Sequence, residues 1–353
     1  MKNGSTVAAF EREFAAYVGA QYAIALCNGT ATLHTALVAL GVNRGDRVAV
    51  PPLTMSSTTI AVLHAGAVPV FVDVDPDTWI MQPTGGRAGA VSVPVSLYGL
   101  HQPYATCTGP DGGPVSYVLD DAAQTLRKME DEFGFTSYSF QASKILALGE
   151  GGMLVTDTEE LATKAREFSS LGYRMRADQP RIDPDALKSP TFDRHYSLGW
   201  NYRMNDRTAA LGLTLLGRFH FAGHPLDIRA QSTKFYRDAI VGCDWLTPQR
   251  VPEGWTHDYW TFAVASDTPE RAARLADAIV TYGGERPYPA WRLTYDEPAF
   301  KHLHPAMQGF AHSGFCPVAE SLQPRLLQFQ TNNLASAERN AVAVRRAIED
   351  LSA

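Results

Sequence analysis

Short, nearly solid apolar runs alternate along this chain with longer segments whose apolar residues recur at helical spacing. Tyr22 to Leu26, Asp46 to Val50, Val68 to Val74 and Met153 to Thr156 are of the first kind, the pattern of strands covered on both faces. Ala31 to Leu40, Thr54 to His64 and Glu159 to Leu171 are of the second, the pattern of helices with one covered face. Pro51-Pro52 and the turn Asp75-Pro76-Asp77 punctuate the alternation. Parallel strands need crossovers of this length, so this part of the chain predicts a mainly parallel sheet with helices on both faces. Gly85-Gly86, the run from Val91 to Tyr98 and the polar loop around Gly109 to Gly113 continue it as strand and loop.

The opening MKNGSTVAAFEREFAAY reads as an amphipathic helix without the long apolar core of a secretory signal. Gly172 to Pro190 is a polar, proline-containing loop, of a length found in lids and inter-subunit segments. A helix from Asp206 to Leu216 and a connecting helix from Arg229 to Ile240 follow. From about Gly242 the texture changes: a strand Tyr259 to Val264, a helix Pro269 to Tyr282 and a closing amphipathic helix Ala335 to Leu351 describe a smaller α+β domain. The expected domains are 1–222 and 223–353.

Composition narrows the partners. The chain has 353 residues, 45% hydrophobic and 19% charged, with a formal charge of -6, as in a soluble globular protein large enough for two domains. A mildly acidic balance without basic blocks argues against nucleic acid or an anionic membrane as partner. No apolar run reaches the roughly 18 to 20 residues that span a bilayer. Cys27, Cys107, Cys243 and Cys316 are scattered without a CxxC pair; they fit reduced thiols in the cytoplasm and suggest neither a metal site nor a disulfide framework.

Three stretches carry candidate chemistry. Lys144 lies in YSFQASKILALGEGG among Ile145, Leu146 and Leu148, where desolvation lowers an amine's pKa and favours attack on carbonyls. Asn28-Gly29-Thr30 follows a strand and opens a helix, offering free N–H groups to an anion, or only capping the helix. Asp120-Asp121 ends the strand Tyr117 to Leu119, where an α/β sheet collects ligands, although an Asp there also serves as a turn residue. Pyridoxal 5'-phosphate needs all three: an anion cup, a carboxylate that keeps its ring nitrogen protonated, and a lysine for its aldehyde. GxxxxGK[ST], GxGxxG and GxSxG are absent, which removes a P-loop, a dinucleotide site and a hydrolase elbow.

CNGTATLHTAL, VAVPPLTMSSTTIAVLHAGAVPVFVDVDPDTW, VLDDAAQ, SYSFQASKILALGEGG, HYSLGWNYRM and CPVAESL, in this order, resemble the sugar aminotransferases of the DegT/DnrJ/EryC1/StrS family. The resemblance implies the PLP-dependent transferase (aspartate aminotransferase-like) α/β fold, with a large domain built on a mainly parallel seven-stranded sheet. It implies Lys144 as the Schiff-base lysine and Asp121 as partner of the pyridine nitrogen. Gln124 would lie near the ring's 3-oxygen, and Gly29, Thr30 and Ser139 would hold the phosphate. Asn201 would reach that phosphate from the neighbouring subunit of a homodimer. Met55 stands where family members carry an aromatic residue or His over the cofactor ring. The stretch before the first helix and the loops between Asp120 and Phe135 are short by the family's standard, which points to an atypical substrate.

The activity implied is transamination from glutamate to a keto sugar, nucleotide-linked, by a ping-pong route. An aminotransferase of a cyclitol or other carbocyclic ketone, a PLP-dependent sugar dehydratase and a non-catalytic regulatory protein of the same fold are the alternatives. The retained lysine favours transamination, because relatives with histidine there dehydrate. Arg174, Arg176 and Arg181 are candidates for a nucleotide diphosphate or simply solvated. His195 is a substrate ligand or an interface residue, and Arg203 binds the donor carboxylate or braces the dimer. Tyr288, Trp291 and Tyr295 stack a sugar or pack a core, and Glu320 has the same two readings.

Overall fold

The computed structural model describes residues 6–82, 91–102, 117–128, 134–178, 185–219, 224–303 and 314–352. Strands β1 (Tyr22–Leu26), β2 (Arg47–Val50), β3 (Val68–Phe71), β4 (Val91–Ser92), β5 (Leu100–His101), β6 (Tyr117–Asp121), β7 (Phe135–Ser139) and β8 (Gly152–Thr156) alternate with helices. Seven of them form one sheet in the order β1-β8-β7-β6-β4-β2-β3. From β7 to β3 the neighbours pair in parallel. β8 runs antiparallel to both β1 and β7, so the sheet is mainly parallel, as expected. The helix Gly29–Ala39 covers one face with Leu33, Ala36 and Leu37, in a core shared with β1, β2 and β6. The helix Thr6–Val18 covers the other, where Phe10 and Phe14 pack on Tyr138 and Phe140.

β9 (Leu246–Pro248), β11 (Thr261–Ser266), β12 (Tyr288–Pro289) and β13 (Leu326–Gln330) build a second, antiparallel sheet in the order β12-β13-β11-β9, and β10 (Thr256–His257) pairs with β5. The helices Pro225–Ala239, Pro269–Thr281 and Leu334–Ser352 pack on this sheet through Tyr236, Leu275, Ile279 and Val344. Residues 222 and 223, where the domain boundary is expected, lie outside the described residues, as do Gly85-Gly86, Cys107, Gly109 to Gly113 and Arg181.

Several elements differ from the pattern reading: β9, β12 and β13 were not expected, and the helix expected from Arg229 starts at Pro225. The run from Val91 to Tyr98 is a strand only at Val91–Ser92; the Ser96 N–H turns to Asp121 O at 3.1 Å, and Leu97–Gly99 forms a 3-10 turn. β7 was not expected, because its polar Thr136, Ser137 and Ser139 hide a strand whose first four residues are buried. β11 starts at Thr261 rather than Tyr259, since Tyr259 takes φ 48°, outside the strand region.

Candidate active site

The carboxyl end of β1 and the start of the helix Gly29–Ala39 make the first wall of a cleft of about 380 Å³. Asn28 is extended, and its side-chain oxygen accepts from Ala31 N at 2.8 Å, so the helix begins at Gly29 with its first N–H groups at the cleft. A Cβ on Gly29 would stand 2.9 Å from Ser139 Cβ; glycine is what lets the helix start lie against the end of β7. Gly29, Thr30 and Ser139 thereby share one corner.

Beyond Ser139 the chain folds into a compact loop closed by Phe140 N–H to Gly151 O and Leu148 N–H to Phe140 O. Gly149 and Gly151 have φ of 85° and 155°, conformations that glycine adopts without strain. A Cβ on Gly152 would meet Asn28 O at 2.7 Å, so the same glycine run seats β8 against the helix cap. Lys144 sits inside this loop with Ile145, Leu146 and Leu148 buried around it. Burial pulls its pKa from 10.5 down to about 8, against an opposing pull from the Asp121 charge. Its Nζ lies 4.5 Å from the centre of the Trp260 ring.

The two aspartates that end β6 separate, as strand alternation requires. Asp121 lines the cleft, where its Oδ2 accepts from Thr58 Oγ1 at 2.7 Å and its Oδ1 from Ala123 N at 3.2 Å. Burial raises its pKa, and the Thr58 bond, the Ala123 amide and the Lys144 charge oppose that rise. Asp120 is not a cleft residue; it meets Ser96 and His101, and burial with the Asp121 charge pushes it up to about 8. Gln124 lines the cleft with its Oε1 taken by Tyr98 N at 2.6 Å.

Trp260, whose sequence context suggests only a strand residue, closes the opposite wall. Asp258 N–H donates to Gly99 O at 2.9 Å, and its carboxylate accepts from Thr125 Oγ1, Leu126 N and Arg127 Nε. Trp260 Nε1 then donates to Ser143 O at 2.8 Å, beside Lys144. Thr58 was also missed, because nothing in the run Thr54 to Thr59 marks which hydroxyl faces Asp121.

The remaining candidates divide. Met55, 47% exposed, lines the cleft, with its Sδ accepting from Ser57 N. Trp291 lines it too and stacks on Trp260 at 6.1 Å. Tyr288 borders an adjoining cavity. Asn201 and His195 are exposed and do not line the cleft; His195 Nδ1 lies 2.8 Å from Leu171 O. Arg203 lines a separate cavity with Glu11 and Arg166. Glu320 is engaged elsewhere, accepting from Tyr295 O–H and Gly314 N, and Tyr295 is core. Arg174 meets Tyr196 and Arg176 pairs with Asp178.

The model of the DegT/DnrJ/EryC1/StrS aminotransferase family matches residues 1–345. The chain belongs to this family. It is a PLP-dependent aminotransferase by membership, and the donor set of the cleft fits that cofactor: a desolvated amine, a buried carboxylate and a helix N-terminus with adjacent hydroxyls. Among relatives, the spore coat polysaccharide biosynthesis protein SpsC of Bacillus subtilis is 37% identical over 62% of this chain and 58% of its own length. GDP-perosamine synthase of Caulobacter vibrioides is 30% identical over 85% of this chain and 80% of its own. The solved 3-amino-5-hydroxybenzoic acid synthase is 25% identical with a TM-score of 0.78, over 98% of this chain and 91% of its own. NtdA of Bacillus subtilis, solved with bound PMP, is 22% identical with a TM-score of 0.79, over 98% of this chain and 78% of its own. No helix among the described residues is long and apolar enough to cross a membrane.

Proposed function

We propose that this aminotransferase moves an amino group from glutamate onto the keto carbon of a nucleotide-linked sugar. The observation that carries it is the convergence of Lys144, Asp121 and the Gly29-Thr30-Ser139 corner on one cleft, together with relatives such as GDP-perosamine synthase. When bound, the cofactor supplies an electron sink for the carbon whose amino group is exchanged. Gly29, Thr30 and Ser139, which share one corner of the cleft, would hold its phosphate by N–H and O–H donation. Asp121 sets the ring nitrogen's proton: in this chain burial raises Asp121, and a cationic ring at its carboxylate reverses the cost of ionisation. Gln124 and Met55 both line the cleft; Gln124 would serve the ring's 3-oxygen, and Met55 would offer a polarizable thioether to the ring face.

Lys144 would hold the aldehyde carbon of the bound cofactor. As a free amine it would carry the proton to and from the substrate carbon, a task suited to a group whose pKa burial has brought to about 8. The order would be ping-pong, because the amino group would stay with the protein-bound cofactor after the donor's product leaves and before the acceptor enters. In the assembly we propose a homodimer in which Asn201 completes the phosphate site of the neighbouring subunit. Within one chain Asn201 is outside the cleft, and its segment exposes Tyr196, Leu198 and Trp200 by 54%, 97% and 55%. The division at residue 222 and a cytoplasmic location complete this reading.

Lys144→Ala is the test: it leaves no borohydride-trappable adduct with the cofactor, and donor-dependent turnover in that variant would remove the assigned role. A carbocyclic ketone is the second reading, favoured by the likeness to 3-amino-5-hydroxybenzoic acid synthase. Amine transfer from the aminated protein to a panel of nucleotide-linked keto sugars and cyclic ketones separates the two.

A further inference from the structure

We propose that the cavity beside the Lys144 cleft is an oxyanion subsite, with the Arg229 guanidinium as its charge and Trp260, Trp291 and Tyr288 as its walls. It rests on the aminotransferase reading, in which both substrates carry an oxyanion: the donor its carboxylates, the sugar nucleotide its phosphates.

The cavity measures about 430 Å³. Ser143, Trp260 and Trp291 border both it and the cleft, so the two are adjoining compartments with shared walls. Arg229, on the helix Pro225–Ala239, is 4% exposed yet lines the cavity. Among the described residues both of its hydrogen bonds use Nη1, to Trp260 O at 2.7 Å and Thr331 Oγ1 at 3.0 Å. Its Nε, wholly buried, finds no acceptor among the described residues.

Asp258 is the carboxylate whose field reaches Arg229. Both of its oxygens are already taken, Oδ1 by Arg127 Nε and Oδ2 by Thr125 Oγ1 and Leu126 N, and no carboxylate comes within ion-pair distance of Arg229 among the described residues. No Asp, Glu or Lys among the described residues lines the cavity, which leaves Arg229 as its formal charge. A buried cation held only by neutral oxygens is an unmet demand for a counter-ion. The walls suit what carries such an ion: the Trp260 and Trp291 rings are stacked at an interplanar angle of 20°, and Gln328, Gln330 and Asn332 add amide groups around them. An arginine that merely stitched Trp260 O to Thr331 would not respond to ligand charge.

Calorimetric titration of the cofactor-loaded protein with glutarate, and separately with UDP, decides it. Glutarate stands for the donor's carboxylates and UDP for the nucleotide's phosphates. At least one is expected to bind saturably and to weaken at least about tenfold in Arg229→Gln, loss of a charge-assisted partner; the probe that responds names the source. Binding by neither probe, or binding as tight in Arg229→Gln as in the parent, overturns the proposal. If Arg229→Gln fails to fold, Trp291→Ala decides in its place: weakening by about tenfold supports the subsite, and unchanged binding overturns it. The visible cofactor band of each sample tests the aminotransferase reading separately, so a band without Arg229-dependent binding rejects the subsite alone.

Discussion

Titration of Lys144 in the cofactor-free protein tests the geometry of the cleft at its centre. The fall in pKa from 10.5 to about 8 corresponds to about 3 kcal/mol against the ammonium form. At pH 7.5 roughly a quarter of the Lys144 side chains are then neutral, against about 0.1% of an ordinary lysine, a gain of about two hundred-fold in reactive amine. Pyridoxal, which lacks the phosphate and so does not draw on the cup, is the probe. Its rate of borohydride-trappable attachment at Lys144, located by peptide mapping, should be half-maximal near pH 8. Asp121→Asn removes the charge that raises the Lys144 pKa, so the midpoint should move to lower pH. A midpoint at pH 10 or above, or an upward move in Asp121→Asn, would refute the desolvated site. Linkage supplies a second readout. The folded pKa lies below the unfolded one, so the unfolded chain binds more protons between about pH 8 and 10.5, and stability rises with pH across that window by up to about 3 kcal/mol. Lys144→Met should abolish that rise.

Three other substitutions probe the walls. Thr58→Val removes the 2.7 Å bond that holds the Asp121 carboxylate down; cofactor retention should weaken by about 1–2 kcal/mol, roughly tenfold, measured by equilibrium dialysis. Gly29→Ala places a Cβ 2.9 Å from Ser139 Cβ, and overpacking of about 1–3 kcal/mol should appear as a lower unfolding midpoint and weaker cofactor binding. Met55→Phe puts a flat ring on the cleft face now covered by an exposed thioether; tighter cofactor binding by about 0.5–1.5 kcal/mol is expected, and an unchanged dissociation constant counts against the stacking role of this position.

Most of the cleft was legible because its parts are local. Asn28-Gly29-Thr30 announces a helix start after a strand, and Gly149 to Gly152 announces a turn, since each depends on backbone conformations that few residues adopt. The apolar runs of β1, β2 and β6 named the sheet in the same way. The direction of β8 was not legible, because a buried apolar strand has one composition whichever way it runs. Nor was the early turn of β11: nothing in Tyr259-Trp260 distinguishes a strand residue from one held at positive φ by its neighbours.

By itself the sequence located the candidate residues at element ends: Lys144 in its apolar loop, Asp121 at the close of β6, and the helix start at Gly29. Only the tertiary structure decided what surrounds that chemistry. Thr58 meets Asp121 across 63 residues, and Trp260 meets Ser143 across 117. Such contacts depend on strand order and on the Asp258 anchor, which ties the start of β11 to the loop after β6. A residue's own neighbours encode its local conformation, whereas its partner across a cleft is chosen by how separate elements pack, and no short stretch of chain carries that information.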